Sequence, residues 1–258
     1  MNIIVCVKQV PSSAGARIDP KTNTILRDGK ASVINPFDSH ALEAALLLKD
    51  ACGGKVSALS MGIPACETML RDCVARGADE AMLLTDRAFA GADTLATSYA
   101  LSLGVKALGD FDLILCGRMA TDGDTAQIGP ELAERLGIPH VTDVSRIQPG
   151  EGFVTVRRET DQEIQTLRVP LPALITVTRE LGNPRMPSIT GVLKGENFPV
   201  QKRSCADLKA DPAQCGQSGS PTRVVHTYTP TSDNVCRELK GSVAEKCDAL
   251  AAIIREVL

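Results

Sequence analysis

Short apolar runs, each followed by a helical pattern, alternate through the first half of the chain, and few folds accommodate that alternation. Asn2 to Val10 reads as a continuous apolar strand ended by Pro11. Residues 17–34 read as a hairpin excursion with turn signals at Asp19-Pro20 and Asp28-Gly29. Asn35 then stands as an N-cap and Pro36 as the first residue of a helix running to about Cys52, with Ala41, Leu42, Ala45, Leu46 and Leu48 on its apolar side. The unit repeats as strand 55–61, helix 65–75, strand 80–85, helix 94–108 and strand 111–116, with a further helical pattern at 130–136. Strands alternating with helices of this length imply βαβ crossovers, and hence an α/β, doubly wound and mostly parallel sheet with helices on both faces.

After Gly137 the pattern changes. Stretches 140–147, 153–158, 163–169 and 173–178 alternate or run β-branched, with turns at 148–152 and 160–162, and are expected to extend the sheet in antiparallel fashion. Residues 179–200 are rich in Pro, Gly and Asn and read as a long loop, a feature that is either functional or disordered. The polar stretch 201–230, with Gly216 to Pro221 at its centre, leads to a last helix at about 242–257. The expected organisation is an α/β nucleotide-binding domain over 1–200 and an arm with a helix over 201–258, wrapping a partner or tethering the helix.

In an open sheet of this kind a ligand sits outside the carboxyl ends of the strands, where the strand order reverses. The most informative strand end is Gly117 to Ile128, a glycine- and hydroxyl-bearing turn between a buried strand and a helix. Free backbone N–H groups at such a helix start stabilise an anion by about 0.3–1 kcal/mol. Arg118 and the backbone would carry the phosphate. Asp124 with Gln127 three residues on reads as a capping box, and Asp122 as the partner of a ribose hydroxyl; Gly129 as cap with Pro130 first in the helix is a competing boundary. Segments 7–11, 35–38, 60–64 and 90–97 would converge on the same ligand, although Asn35, Asp93 and Asp124 each also read as simple helix caps.

Composition removes several classes. A net charge of −3 and the absence of tryptophan, with only 3% aromatics, argue against nucleic-acid surfaces and stacking platforms. No apolar run reaches the roughly 18 residues of a membrane span, so a soluble, cytoplasmic protein without membrane insertion is expected. The nine cysteines contain no C-x-x-C and lie far from the histidines, which favours reduced structural thiols over a metal site. No G-x-x-x-x-G-K-[ST] loop is present, which weighs against an ATP-dependent enzyme.

Taken together, Val7-Lys8-Gln9-Val10, Asn35-Pro36-Phe37-Asp38, Arg76-Gly77-Ala78-Asp79, the stretch from Gly117 to Gly129, Pro172-Ala173-Leu174-Ile175-Thr176, Asn183-Pro184-Arg185 and Gly219-Ser220-Pro221-Thr222 resemble, in order and spacing, the β subunit of electron-transferring flavoproteins. The resemblance implies a heterodimer with an α subunit and a nucleotide site holding FAD or a structural AMP. By that resemblance the site uses Cys6, Asn35, Pro36, Phe37, Asp38, Met61, Gly117, Arg118, Met119, Ala120, Thr121, Asp122, Gly123, Asp124, Thr125, Ala126, Gln127 and Ile128. The tract Asp122 to Gln127 and the segment Gly91 to Ser98, with Asp93, Thr94 and Thr97 as flavin neighbours, are similar to the electron-bifurcating branch. Two positions depart from the pattern: Met119 stands where glutamine is usual, and Gln162 where an acidic residue or glycine is usual.

The implied activity is redox chemistry on the cofactor, with no catalytic side chain. NADH would donate two electrons. One would go to ferredoxin or flavodoxin and the other, through FAD of the α subunit, to an acyl-CoA dehydrogenase-type partner. Residues 183–194 resemble the docking loop for that dehydrogenase, with Ile189 as its apolar anchor. The alternatives are a non-bifurcating carrier with AMP in this subunit and a nucleotide-binding regulatory module.

Overall fold

The computed structural model describes residues 1–12, 32–225 and 238–257. Strand β1 (Asn2–Cys6) is buried along all but its first residue, because strands flank both of its edges and helices cover both of its faces. The chain leaves it through β2 (Gln9–Pro11), which pairs antiparallel with β3 (Ser32–Ile34). The long strand expected at 2–10 is thus divided at Val7 and Lys8, and the expected hairpin excursion lies largely outside the described residues. Next come α1 (Pro36–Cys52), β4 (Lys55–Met61), α2 (Glu67–Arg76), β5 (Glu80–Leu84), α3 (Thr94–Leu108), β6 (Leu113–Gly117) and α4 (Ile128–Leu136). After them follow β7 (His140–Pro149), β8 (Phe153–Glu159), β9 (Ile164–Pro170), β10 (Ala173–Val177), α5 (Ile189–Glu196), β11 (Gln201–Arg203) and α6 (Val243–Val257).

Among the described residues, nine strands form one sheet in the order β11-β5-β4-β1-β6-β10-β7-β8-β9. Successive residues of β1 point to opposite faces. Ile3 and Val5 enter a core with Leu42 and Leu46 of α1 and Leu70 and Val74 of α2. Ile4 and Cys6 enter the opposite core with Leu101 and Val105 of α3 and Leu132 and Ala133 of α4. The helices therefore cover both faces, as the doubly wound pattern requires.

Three expectations need correcting. The region 140–178 is not a purely antiparallel extension: β7 and β10 run parallel to the sheet, and β10 enters between β6 and β7, leaving only the pairings of β8 with β7 and β9 antiparallel. All five residues of β10 are buried, which is how a strand covered on both faces reads. The stretch 179–200 is not all loop, since α5 forms within it. Its start is capped by Ser188, whose hydroxyl oxygen accepts from the Gly191 N–H at 3.0 Å. A Cβ on Gly195 would stand 2.6 Å from the Arg71 carbonyl oxygen, so glycine lets this helix lie directly on the backbone of α2. The third concerns 201–225, which packs with the sheet: β11 extends it beside β5, and Cys205 and Cys215 are buried in the α3/α4 core.

The chain divides into two compact units, Met1–Val225 and His226–Leu258. In the second, Ser242 and Glu245 form a capping box ahead of α6, with the Ser242 N–H donating to the Glu245 carboxylate at 2.7 Å and the Glu245 N–H to the Ser242 hydroxyl oxygen at 3.4 Å. Among the described residues, no helix is long and apolar enough to cross a membrane, and no cluster of His, Cys, Asp or Glu has the makings of a metal site. Cys6, Cys66, Cys73, Cys116, Cys205 and Cys215 are buried, and Cys52 and Cys247 are exposed.

Candidate nucleotide site

The chain runs outward from β1 to β4 and β5, then returns on α3 to lay β6 against the other edge of β1. Strand order therefore reverses between β1 and β6, and their carboxyl ends open the crevice in which sheets of this kind bind ligands. Cys6 and Cys116 face each other in register at its floor. Gly117 ends β6 against α1, where an added Cβ would overlap the Asp38 carboxylate and the Phe37 backbone.

The start of α1 holds the two strand ends together. Asp38 is buried, and its carboxylate accepts the Lys8 N–H at 2.8 Å and the Gly117 N–H at 3.2 Å. Burial pushes that carboxyl up to about 7, outweighing the hydrogen bonds from Asn35, Lys8 and Gly117 and the Lys8 charge. Asn35 occupies the N-cap position, but its side chain does not cap the helix. Its amide reaches across instead, donating to the Met119 carbonyl at 2.9 Å and accepting from the Thr121 N–H at 3.3 Å. Pro36 takes the first turn as expected, and the buried Phe37 ring carries the Arg179 guanidinium 4.7 Å from its centre.

The loop that follows β6 is tied down at both ends. The Arg118 N–H donates to the Val177 carbonyl at 2.9 Å, and its guanidinium is ion-paired with Asp143 at 2.8 Å. Met119 and Ala120 are half-buried, and the Asp124 N–H returns to the Ala120 carbonyl at 2.7 Å. Asp122 does not project as an isolated acid: Lys8 Nζ sits 2.6 Å from its carboxylate. The predicted capping box is absent. Asp124 and Ala126 adopt left-handed backbone, with φ of 47° and 55°, so α4 starts only at Ile128 and has no side-chain cap. Pro130 falls third in that helix, which also sets aside the boundary at Gly129.

The neighbouring segments contribute unequally. Thr94 joins the crevice, since its hydroxyl lies 2.9 Å from the Glu131 carboxylate and 3.2 Å from the Gln127 side-chain oxygen, to either of which it can donate. Asp93 is used elsewhere: one oxygen caps α3 at the Ala96 N–H, and the other accepts from the backbone and hydroxyl of Thr222. Thr97 is half-buried in the first turn of α3, and Met61 is half-buried at the end of β4. Ile189 is not part of the crevice. It lies on α5 at 84% exposure, beside the exposed Met186 and Leu193.

Thr121, Gly123, Asp124, Thr125, Ala126 and Gln127 are exposed on the crevice side of this brace. A Cβ on Gly123 would meet only Lys8 Nζ, at 4.0 Å. An uncapped helix start, a lysine ammonium and an open glycine together fit the phosphate-bearing part of a nucleotide. Beside them, Phe37, Arg118, Asp143, Arg158 and Arg179 help line a cleft of about 680 Å³. Lys8 lies in the 7–11 segment expected to converge on the ligand, although it was not itself named as a site residue. Its position two residues beyond the end of a central strand was the available signal.

A family model described as an electron transfer flavoprotein domain matches residues 22–207. The electron transfer flavoprotein subunit beta of Thermoanaerobacterium thermosaccharolyticum is 45% identical over 246 residues, covering 95% of this chain and 94% of the relative. The chain belongs to the electron transfer flavoprotein β-subunit family. Other relatives in this family include the caffeyl-CoA reductase-Etf complex subunit CarD of Acetobacterium woodii, 42% identical over 258 residues with 99% and 98% of the two chains covered. Protein FixA of Azorhizobium caulinodans is 42% identical over 240 residues, with 90% and 85% covered. The role of the chain is accordingly that of an electron transfer flavoprotein subunit, and the domain match takes in α1, β6, the loop after it and α5.

Proposed function

We propose that this β subunit pairs with an α subunit, holds FAD in the β1/β6 crevice, and accepts electrons from NADH. One electron then passes to ferredoxin or flavodoxin and the other, through FAD of the α subunit, to an acyl-CoA dehydrogenase-type enzyme. The observation that carries the reading is the open tract at Gly123 beside Lys8 and the uncapped start of α4. One relative is named as part of a caffeyl-CoA reductase-Etf complex, which supports a partner acting on an acyl-CoA.

Bound FAD would supply the redox chemistry, two electrons in and single electrons out. The chain's own residues bind and orient. The Lys8 ammonium and the first N–H groups of α4 would hold the diphosphate, while Asn35 and Asp38 fix the loop that presents them. Thr94, bonded to Gln127 and Glu131, would fix the far side of the same loop.

The deciding measurement is the nucleotide content of the purified heterodimer, by acid extraction and absorbance. Two FAD per heterodimer are expected. One FAD with one AMP would make the protein a non-bifurcating carrier with a structural nucleotide in this subunit, and no nucleotide in this subunit would reduce it to a regulatory or purely structural partner.

The exposed apolar face of α5 is proposed to dock the dehydrogenase, with Ile189 as anchor. Ile189→Ala is expected to slow transfer to the dehydrogenase about tenfold or more, in the range of a truncated interface anchor. Reduction by NADH should be unchanged. Stopped-flow traces with and without the dehydrogenase separate the two steps, and equal transfer rates would remove Ile189 from the interface.

A further inference from the structure

We propose that Asp38 is a positioning residue for this nucleotide site rather than a ligand to the nucleotide: its carboxylate joins the Lys8 and Gly117 amides across the strand-order reversal and so sets the course of the 117–128 loop. The inference rests on the nucleotide reading above. It comes from where the carboxylate points. Asp38 lies behind the loop, buried, and its two oxygens are taken separately by backbone N–H groups from two different strand ends. Both amides belong to residues that lead directly to the crevice. Lys8 continues from its amide to an ammonium on Asp122, and Gly117 continues into the loop that Asn35 holds at Met119 and Thr121.

An ionised carboxylate accepts strongly at both oxygens, whereas a protonated one keeps only a weak acceptor at its hydroxyl oxygen. A proton on either one weakens the hydrogen bond at that oxygen, and the hold on one strand end loosens. The groups facing Asp38 leave it free to make that change near neutral pH, because burial lifts its carboxyl to about 7. The Lys8 charge, just beyond the end of β1, favours the ionised form. Cys73 on α2 and Cys116 on β6 are neutral there, since burial pushes the Cys73 thiol up to about 12, and a hydrogen bond with Cys6 together with burial pushes the Cys116 thiol well above its ordinary value. Asn35 adds a neutral hydrogen bond from the start of α1.

The loop is therefore braced above neutrality and loosened below it, and nucleotide affinity should follow. The test uses the isotope-labelled full-length chain. The amide resonances of Lys8 and Gly117 should shift together with a common inflection between about pH 6 and about pH 8. Over the same range the Kd for FAD and for AMP should tighten about three- to tenfold as pH rises, the linkage expected of a group that must be ionised to bind. Asp38→Asn, which keeps one acceptor and turns an amide donor toward the other N–H, should bind weakly with no pH dependence.

A residue that merely filled space would move neither the amides nor the pH profile. Amides without a common inflection, or a Kd that stays level or weakens with rising pH, would overturn the assignment even if Asp38→Asn fails to fold. Binding of neither nucleotide at any pH, with the inflection present, would count against the nucleotide reading and leave the brace standing.

Discussion

A leucine at position 123 should leave the chain folded and strip it of its nucleotide. Gly123 is exposed, its φ is not in the left-handed region, and a Cβ there would meet only the end of the Lys8 side chain at 4.0 Å. The protein alone gives no steric reason for glycine, so a leucine should change stability by no more than about 0.5 kcal/mol, as exposed substitutions do. A ligand passing over the loop would meet the new side chain. Nucleotide content is expected to fall at least about tenfold, the effect of losing about 1.4 kcal/mol of binding. Gly117→Val is the contrasting case, because its side chain would strike Asp38 and Phe37 and should cost stability by about 1–3 kcal/mol or more. Thermal unfolding and acid-extracted nucleotide, measured on both variants, separate a ligand effect from a folding effect. A folded Gly123→Leu chain with its full complement would take the nucleotide away from this crevice.

Truncation after Val225 should leave the first unit intact and abolish pairing with the α subunit. Residues 201–225 cannot be removed with the arm, because β11 covers the β5 edge, Cys205 and Cys215 fill the core, and Thr222 completes the hydrogen bonding of Asp93. Residues 226–258 belong to the other unit, in which α6 carries Leu250 and Ile254 about half exposed. An amphipathic helix with such a stripe gains stability by burying it against a partner. Co-purification followed by light scattering should give a heterodimer for the full chain and separate monomers for the truncated one. A stable heterodimer after truncation would make α6 a tether without a role in pairing.

The parallel half of the fold was legible because both faces of its strands are covered and glycines end its helices, so periodicity and punctuation agree. The placement of β10 was not. Ala173 to Val177 has the unbroken apolar character of a central parallel strand, but it follows two hairpin turns, and chain order suggested an antiparallel neighbour. Helix α5 escaped notice because Gly191 and Gly195 lower its helix propensity, and only contact with the α2 backbone shows what they are for. The loop after β6 and the start of α1, singled out by their position in the fold, do lie together where the strand order reverses. What the individual side chains do there was less accessible. The left-handed backbone at Ala126 has no signature in an alanine, and the Lys8–Asp122 pair joins residues 114 apart, beyond any local pattern. Asn35 read as a cap because its residue type and place were right, yet its amide found better partners across the crevice.

The late entry of β10 between β6 and β7 also bears on how the subunit is made. During synthesis the strands β1, β4, β5 and β6 emerge first, and β6 then has one edge without a neighbour. The segment that fills that edge lies more than fifty residues downstream, and Val177 at its end accepts the N–H of Arg118 that fastens the nucleotide loop. Until it leaves the ribosome the crevice lacks one wall, so a ligand of the crevice would meet a nearly finished chain and would not template the early one.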